Sequence, residues 1–342
     1  VLDTAHPMGG GRVSRRAGFQ LLAAGLMIGW CVLFLREENT EKSIVRALLL
    51  EQTPSGWSAG LLYQFPEASA DASETEAKIR FVLASGGTPQ AALVQAEKKL
   101  PRKANYRLCD YLLLGPGSTL QTIRICETLY QERPYGRLAS RVFLLEVPAQ
   151  ELEMRAEEEE SLPEMLLGSV KADAAAPRLY ENRNGCLLPV LAWKDDALSC
   201  REERLLVTAT GETALTADES EAALFLLGRK RSCRFEAERD PVELTRLARS
   251  VEEKGEGFRL LLTCRCPPES RMPTQEELAA WETLCTETVR RCWANGFDLL
   301  RLGSVRALRD PHDPLTTKNA CPEIRTDVAL DAVFNGPSRR ER

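Results

Sequence analysis

Short apolar runs separated by turn residues predict a series of β-strands beyond residue 40. The strands Ser43–Leu50 and Trp57–Phe65 form a predicted hairpin, because Pro54 and Gly56 lie in the short segment between them. Other apolar runs of strand length are bounded by turn residues in the same way. They are Ile79–Leu83, Tyr111–Leu114, Arg141–Val147, Leu187–Trp193, Arg204–Thr210 and Arg259–Cys266.

The last predicted strand has the most regular alternation in the chain. One face carries Ile324, Thr326, Val328, Leu330, Ala332 and Phe334, and the other carries Arg325, Asp327 and Asp331. The clearest helix begins at the capping box Thr274–Glu277, in which a hydroxyl and a carboxylate each satisfy a free backbone N–H. Its apolar stripe runs from Leu278 to Cys292, and Gly296 is placed to end it in a left-handed conformation.

Three more helices are predicted from caps and spacing. Thr88 is placed to cap a helix that has Pro89 at its first position, and helical spacing also covers 120–130 and 216–227. Strands and helices do not alternate regularly along the chain. The pattern therefore predicts an α+β fold with mixed antiparallel sheets and packed helices.

An apolar segment near the N-terminus, Ala17–Leu35, is interrupted only by Gln20 and follows Arg12, Arg15 and Arg16. As a helix it would be roughly 28 Å long, which is enough to cross the hydrocarbon core of a bilayer. The basic flank predicts a cytoplasmic N-terminus. About 300 residues would then be held on the extracytoplasmic side of the membrane.

The same segment allows three different mature proteins. A cleaved signal peptide is disfavoured, because no small-residue cleavage pattern follows the apolar run. A bacterial lipoprotein would be acylated at Cys31, which follows Gly29 and the bulky Trp30. An uncleaved signal anchor fits the length and charge rules best, and Cys31 is then a small apolar residue in a membrane helix.

Changes in composition predict the division of the chain into domains. An acidic run at Glu157–Glu160 and a stretch of small residues before Pro177 indicate a surface helix and a linker. The predicted units are a cytoplasmic N-terminus (1–16), the anchor (17–35), an N-terminal domain (36–150), the acidic linker (151–178), a C-terminal domain (179–336) with a possible split near 235, and a tail (337–342).

Charge and cysteine content narrow the functional classes. The formal net charge is −5, and the basic residues are scattered in the sequence, so nucleic-acid binding is not expected. Ten of the eleven cysteines lie beyond the anchor at spacings that suggest neither a disulfide framework nor a metal site. We expect most of them to be buried thiols. A metal site formed by Cys264 and Cys266 together with Cys285 and Cys292 is disfavoured.

Catalytic signatures are sparse. G-x-S-x-G, H-E-x-x-H, S-x-x-K and EF-hand patterns are absent from the sequence. Beyond the anchor the one histidine, His312, lies between two X-Pro steps that favour a solvated loop. The glycine-rich segment Gly115–Thr119 lacks the lysine of a phosphate-binding loop. We therefore expect no cofactor, no metal ion and no enzymatic activity.

Three segments resemble the Ger(x)C family, the C-type subunits of spore germinant receptors in endospore-forming bacteria. Leu83–Ala92, followed by Asn105–Tyr106–Arg107, is similar to the turn and helix that the family carries. A second block lies at Leu198–Leu227, and the residues that carry its resemblance are Ala197–Arg201 and Leu226–Leu227–Gly228. The third segment, Asn295–Gly303, resembles the family's G-A-D-I-F-G-F-G motif.

The resemblance implies a membrane-anchored, non-enzymatic subunit of a germinant-receptor-like complex. Its implied partners are a multi-span receptor subunit and a permease-like subunit, and its implied location is the extracytoplasmic face of a spore's inner membrane. The chain departs from the family at the anchor, where Trp30 precedes Cys31, and at 297–323, which contains three prolines. An extracytoplasmic cell-wall enzyme and a generic anchored sporulation assembly protein are the alternatives.

Overall fold

A computed structural model describes residues 22–30, 42–64, 78–132, 137–181, 184–194, 197–235, 240–255 and 257–331. Helix α1 covers 22–30, and all its residues are exposed. The rest of the predicted anchor, including Cys31, lies outside the described residues. None of the helices within these ranges is both long enough and apolar enough to span a membrane.

The first sheet is built from nine strands that lie between residues 42 and 214. Their order across the sheet is β3-β2-β1-β5-β6-β7-β8-β9, and β4 pairs with the start of β1. The bounds are β1 Lys42–Thr53, β2 Gly56–Gln64, β3 Ile79–Gly86, β4 Lys103–Asn105, β5 Tyr111–Leu114, β6 Arg141–Leu145, β7 Gly185–Lys194, β8 Ala197–Thr208 and β9 Gly211–Ala214.

Helices cover both faces of this sheet. The helices are α2 Pro89–Lys98, α3 Leu120–Glu132, α4 Ala149–Glu158 and α5 Leu162–Ala172. Residues of α2 and α3 pack with Leu48, Leu112 and Leu114 in one core, whereas α4 and α5 pack with Leu49 and Leu113 in another. Alternate residues of β1 and β5 thus point to opposite cores, as the two-residue period of a strand requires. This explains why the facing segments 47–50 of β1 and 111–114 of β5 are apolar at every position.

The second sheet has the order β10-β11-β12-β13 and packs against three helices. Its strands are β10 Ser232–Phe235, β11 Val242–Lys254, β12 Gly257–Arg265 and β13 Ile324–Leu330. The helices that follow the first sheet are α6 Ala217–Leu227, α7 Gln275–Ala294 and α8 Leu302–Arg309. Trp281 of α7 stacks on Phe235 with ring centroids 5.0 Å apart and meets Phe225 edge-on at 6.1 Å.

The α+β class is confirmed, but the sheets are mixed rather than mainly antiparallel. β1, β5, β6 and β7 run parallel to one another, and β13 is parallel to β12. The predicted capping box at Thr274–Glu277 is present, and Gly296 has φ +84° as expected. The interpretation of 151–178 as a helix followed by a linker is incomplete, because these residues include most of α4, all of α5 and the buried Ala175 and Ala176.

The predicted boundary at 151–178 lies between strands that belong to one continuous sheet. β7 to β9 follow the acidic segment in the chain and extend the sheet that β1 to β6 begin. The second sheet starts with β10, next to the split that the sequence suggests near residue 235. Which of these points bounds an independently folding domain stays a prediction.

Candidate functional site

A polar pocket of about 860 Å³ lies where the second resembling segment meets the C-terminal end of α5. It is lined by Ser199–Glu202 of β8, Asp173–Ala175 after α5, the first turn of α6, and the basic residues that follow α6. Five basic side chains line it, namely Arg201, Arg204, Arg229, Lys230 and Arg234. Acidic lining residues are Asp173, Glu202, Asp218 and Glu221.

A buried ion pair lies at the inner wall of this pocket. Arg204 Nη1 is 2.6 Å from Asp173 Oδ2, and the two side chains are 7% and 8% exposed. Asp173 ends α5, and its Oδ1 accepts a hydrogen bond from the Ala175 N–H at 2.9 Å. Nε of Arg204 finds no hydrogen-bond acceptor among the described residues. The pair joins α5 to β8 and fixes the chain where it returns to the sheet.

The basic residues at the rim are largely paired. Arg229 donates to Glu181 at 2.5 Å and to the Ala176 carbonyl at 3.2 Å, and Lys230 pairs with Glu221. Burial acts to raise the pKa of Glu181, but hydrogen bonds from the Arg178 backbone and the Arg229 side chain outweigh it, so the pKa is lowered. Most of the charges that line the pocket are therefore neutralised by ion pairs within the chain.

The first resembling segment forms a tight turn from β3 into α2. A Cβ atom on Gly86 would lie 2.4 Å from the Ala92 nitrogen, so only glycine fits there. Thr88 caps α2, and its Oγ1 accepts from the Ala91 N–H at 3.1 Å. Tyr106, which follows β4, is buried and donates to Glu97 Oε1 of α2 at 2.7 Å. The segment's residue types are thus explained by local geometry.

The third resembling segment joins α7 to α8. The two oxygens of Asp298 accept hydrogen bonds from the N–H groups of Leu302 and Gly303, each at 2.8 Å, and so cap α8. A Cβ atom on Gly303 would lie 2.5 Å from the Leu315 carbonyl oxygen. Arg301 has φ +60°, a left-handed conformation that is uncommon for a residue with a side chain. This segment is a backbone turn and contributes no lining to the polar pocket.

The glycine-rich segment Gly115–Thr119 lies at the carboxyl end of β5, beside the loop that follows β6. The chain after β5 goes to α3 on one face and the chain after β6 goes to α4 on the other, which is the arrangement that opens ligand crevices in parallel sheets. Here Glu51 of β1 occupies the crevice. Its carboxylate accepts from the Ala149 N–H at 2.8 Å, and a Cβ on Gly115 would collide with it.

Other sequence candidates lie apart from the polar pocket. Cys31, the possible lipidation site, lies outside the described residues. His312 is exposed in a loop, as expected, and its N–H donates to Asp310 at 3.0 Å. Within the described ranges no three His, Cys, Asp or Glu side chains form a group able to hold a metal ion.

The cysteines from Cys109 onward are free thiols, and most of them are buried. Burial raises the pKa of Cys109 and Cys292 to about 12 and that of Cys200 and Cys264 to about 11. A thiol with such a pKa is protonated at neutral pH and is a poor nucleophile. Cys321 is exposed.

Sequence reasoning did not find the polar pocket. Arg204 and Asp173 are 31 residues apart, and neither belongs to a recognisable motif. The sequence contained only an indirect indication of this pocket. The segment Leu198–Leu227, which resembles the Ger(x)C family, supplies much of the lining.

Comparisons with known proteins give one structural likeness. No family model matches the chain, and no curated protein matches it. A solved structure described as "Crystal Structure of the GerBC protein" matches with a TM-score of 0.40 and 10% sequence identity. The match covers 83% of this chain and 96% of that chain. A likeness at this level does not define the family of the chain.

Proposed function

We propose that this chain is a membrane-anchored, non-enzymatic subunit of a spore germinant-receptor-like complex. It acts in nutrient-triggered germination through contacts with other proteins, namely a multi-span receptor subunit and a permease-like subunit. The folded part lies on the extracytoplasmic face of the spore's inner membrane.

The proposal is supported by the positions of the three resembling segments. Two of them are backbone turns that depend on their own residues, because Gly86 and Gly303 leave no room for a Cβ and Asp298 caps α8. The remaining segment lines the polar pocket with Cys200 and Arg201. The likeness to the Ger(x)C family thus rests on residues with distinct structural tasks rather than on composition.

A role in binding rather than catalysis is supported by the chemistry of the polar pocket. Four of its five cations, Arg201, Arg204, Arg229 and Lys230, are paired with carboxylates, and its one thiol, Cys200, has a pKa raised to about 11 by burial. Such groups are suited to polar contacts and are poorly suited to proton transfer near neutral pH.

For the anchor, we propose an uncleaved membrane helix over Ala17–Leu35. Radiolabelled palmitate is then not incorporated into the wild-type protein when it is expressed in its native host. Incorporation that disappears in Cys31→Ala would instead establish a lipoprotein, which would anchor the same folded part by a different group.

Co-purification from spore membranes tests the partners. The full chain with a C-terminal tag, solubilised in mild detergent, should retain a multi-span receptor subunit and a permease-like subunit, both identified by mass spectrometry. The matched control carries residues 1–41 fused to an unrelated soluble domain, which shares the anchor but lacks the folded part. Recovery of the same proteins with the control would show that the folded part does not bind them.

Germination of a deletion strain tests the activity. Spores that lack the gene should lose the nutrient-triggered fall in optical density, and the full gene supplied elsewhere should restore it. Normal germination in response to every nutrient tested, together with no receptor subunit in the co-purification, would rule out the proposed function.

A further inference from the structure

A β-bulge in β11 places two arginines on one face of the second sheet. Arg246 pairs with Cys264 and Arg249 pairs with Leu262 in the register between β11 and β12, and the extra residue lies between Arg246 and Ala248. Cys264 and Leu262 both belong to the core that α6, α7 and α8 share with this sheet. Without a bulge, residues three apart in a strand point to opposite faces. With the bulge, Arg246 and Arg249 both lie on the side of the helices.

Both arginines reach the C-terminal end of α6. Arg246 Nη1 donates to the Phe225 carbonyl and Arg249 Nη1 donates to the Leu226 carbonyl, so the two guanidinium groups bind adjacent carbonyls. The Cζ atom of Arg246 also lies 5.5 Å from the centre of the Phe225 ring. Gly228 caps the end of α6, and a Cβ atom there would lie 2.8 Å from Arg246 Nη2. The two guanidinium groups are therefore held in place before any ligand binds.

Two further arginines lie beside this pair. The Arg246 N–H donates to the Arg231 carbonyl at 2.8 Å, which continues the pairing of β10 with β11 and puts Arg231 opposite Arg246. Arg301 lies in the turn before α8 and acts on Arg249. Partial burial, and then the charges of Arg246 and Arg301, lower the pKa of Arg249. The residues Arg231, Arg246, Arg249 and Arg301 are called the arginine cluster below, and all of them except Arg246 are exposed.

The carboxylates of the described residues do not balance the arginine cluster, because none of them forms an ion pair with it. Glu253, further along β11, is paired with Arg306 and Arg309. Asp298, three residues before Arg301, accepts hydrogen bonds from the backbone of α8. The end of α6 supplies only about half an elementary negative charge. Positive charge is therefore in excess here, and like charges set opposite each other on neighbouring strands are destabilising.

We propose that the arginine cluster binds an acidic segment of a partner protein, whose carboxylates accept hydrogen bonds from the guanidinium groups. A guanidinium presents a planar fork of N–H donors that matches the two oxygens of a carboxylate. The exposed members come from three places in the fold, before β10, within β11 and before α8, so they suit carboxylates that are spaced along a peptide. The cluster contributes no lining to the polar pocket. The inference goes beyond the proposed function and depends neither on the anchor nor on the receptor subunits.

The experiment measures peptide binding by the full chain in a neutral detergent. A fluorescein-labelled hexaglutamate peptide is the probe, hexaglutamine is the uncharged comparison, and fluorescence anisotropy reports binding. We expect hexaglutamate alone to bind, with an affinity that falls as salt is raised, because charges at a surface are screened. Absence of hexaglutamate binding at low salt would overturn the inference.

Substitutions that remove one charge locate the site. Arg249→Gln and Arg301→Gln should each weaken hexaglutamate binding by about three- to tenfold, since each removes a charge-assisted hydrogen-bond donor. Arg290→Gln is the matched control, because Arg290 is exposed on α7, lies outside the cluster and changes the net charge by the same amount. It should weaken binding by less than about twofold. Equal losses in the three variants would show a general attraction to the chain and would overturn the arginine cluster as the site.

Two controls complete the test. Circular dichroism shows that each variant is folded, and Arg301→Gln, which changes an exposed side chain, keeps the test decisive if Arg249→Gln unfolds. Inorganic phosphate serves as a competitor. Hexaglutamate that stays bound when phosphate replaces chloride at equal ionic strength supports an acidic segment. Displacement by phosphate under these conditions would assign the cluster to a phosphate group and overturn the inference.

Discussion

At the scale of single residues, the adjacent Gly86 and Gly87 differ in the space that surrounds them. Gly86 packs against the first turn of α2, where a Cβ would lie 2.4 Å from the Ala92 nitrogen and 2.8 Å from the Ala91 carbonyl carbon. Gly87 has no atom within 4 Å of the same position. The requirement for glycine therefore belongs to Gly86.

The substitution Gly86→Ala should destabilise the protein by about 1–3 kcal/mol, because the backbone of β3 or α2 must shift to accommodate the methyl group. Gly87→Ala is the matched control and should change the free energy of unfolding by less than about 1 kcal/mol. Urea unfolding followed by circular dichroism measures both variants. Equal effects of the two substitutions would contradict the packing argument.

The buried pair of Arg204 and Asp173 makes a second prediction at this scale. Asp173→Ala should cost about 3–5 kcal/mol, because it leaves an arginine that is 7% exposed without its counter-charge. Glu146→Ala removes the partner of Arg201 in a pair whose side chains are 46% and 49% exposed, and should cost less than about 1 kcal/mol. Urea unfolding compares the two losses, and a smaller loss for Asp173→Ala would be inconsistent with a buried pair.

At the scale of elements, local sequence patterns predicted the helices and strands whose ends are marked by capping or turn residues. Thr88, Thr216 and Thr274 each cap the helix that follows them, and the last two form full capping boxes. β11 and α8 were not predicted. β11 is rich in charged residues and lacks the period of a buried strand, since much of it is exposed. Its structure comes from pairing with β12 along nearly its whole length, which is a non-local cause.

The start of α7 makes a prediction about pH. Glu277 accepts two hydrogen bonds from the Arg271 guanidinium and one from the Thr274 N–H. The side-chain hydrogen bonds from Arg271 contribute most to a pKa of about 2, compared with about 4.3 for an unperturbed glutamate. Because the pKa is lower in the folded state, the stabilisation is complete above about pH 5 and is lost as pH falls toward 2.

Glu277→Gln should therefore be less stable than wild type at pH 7, and the difference should shrink between about pH 5 and pH 2. Glu276→Gln is the matched control, because Glu276 is exposed in the same helical turn. Urea unfolding at several pH values measures both variants. A difference for Glu277→Gln that is independent of pH would show that its charge is not what stabilises the turn.

At the scale of the whole molecule, burial decides the behaviour of the cysteines. One core of the first sheet encloses Cys109, Cys126 and Cys186, and the core around the second sheet encloses Cys233, Cys264, Cys285 and Cys292. Cys200 and Cys266 are partly exposed, and Cys321 is exposed.

In a Cys31→Ala background, a maleimide reagent should label Cys321 rapidly in the native protein. The buried thiols should react only after denaturation, since burial both blocks access and raises their pKa. Mass spectrometry after timed labelling identifies the modified residues, and Cys321→Ser should remove the rapid phase. Rapid labelling of Cys126 or Cys285 in the native protein would contradict the packing of the cores.

The sequence by itself determined the elements that carry their own boundary signals, because caps, turn glycines and alternation are local properties. It also determined the apolar segment Ala17–Leu35 and the three segments that resemble the Ger(x)C family. Tertiary structure alone decided which strands pair in parallel, that Glu51 fills the crevice beside Gly115, and that Arg204 meets Asp173. It also placed Lys42 opposite Lys103 in the pairing of β1 with β4. These contacts join residues that are distant in the chain, so no local pattern specifies them.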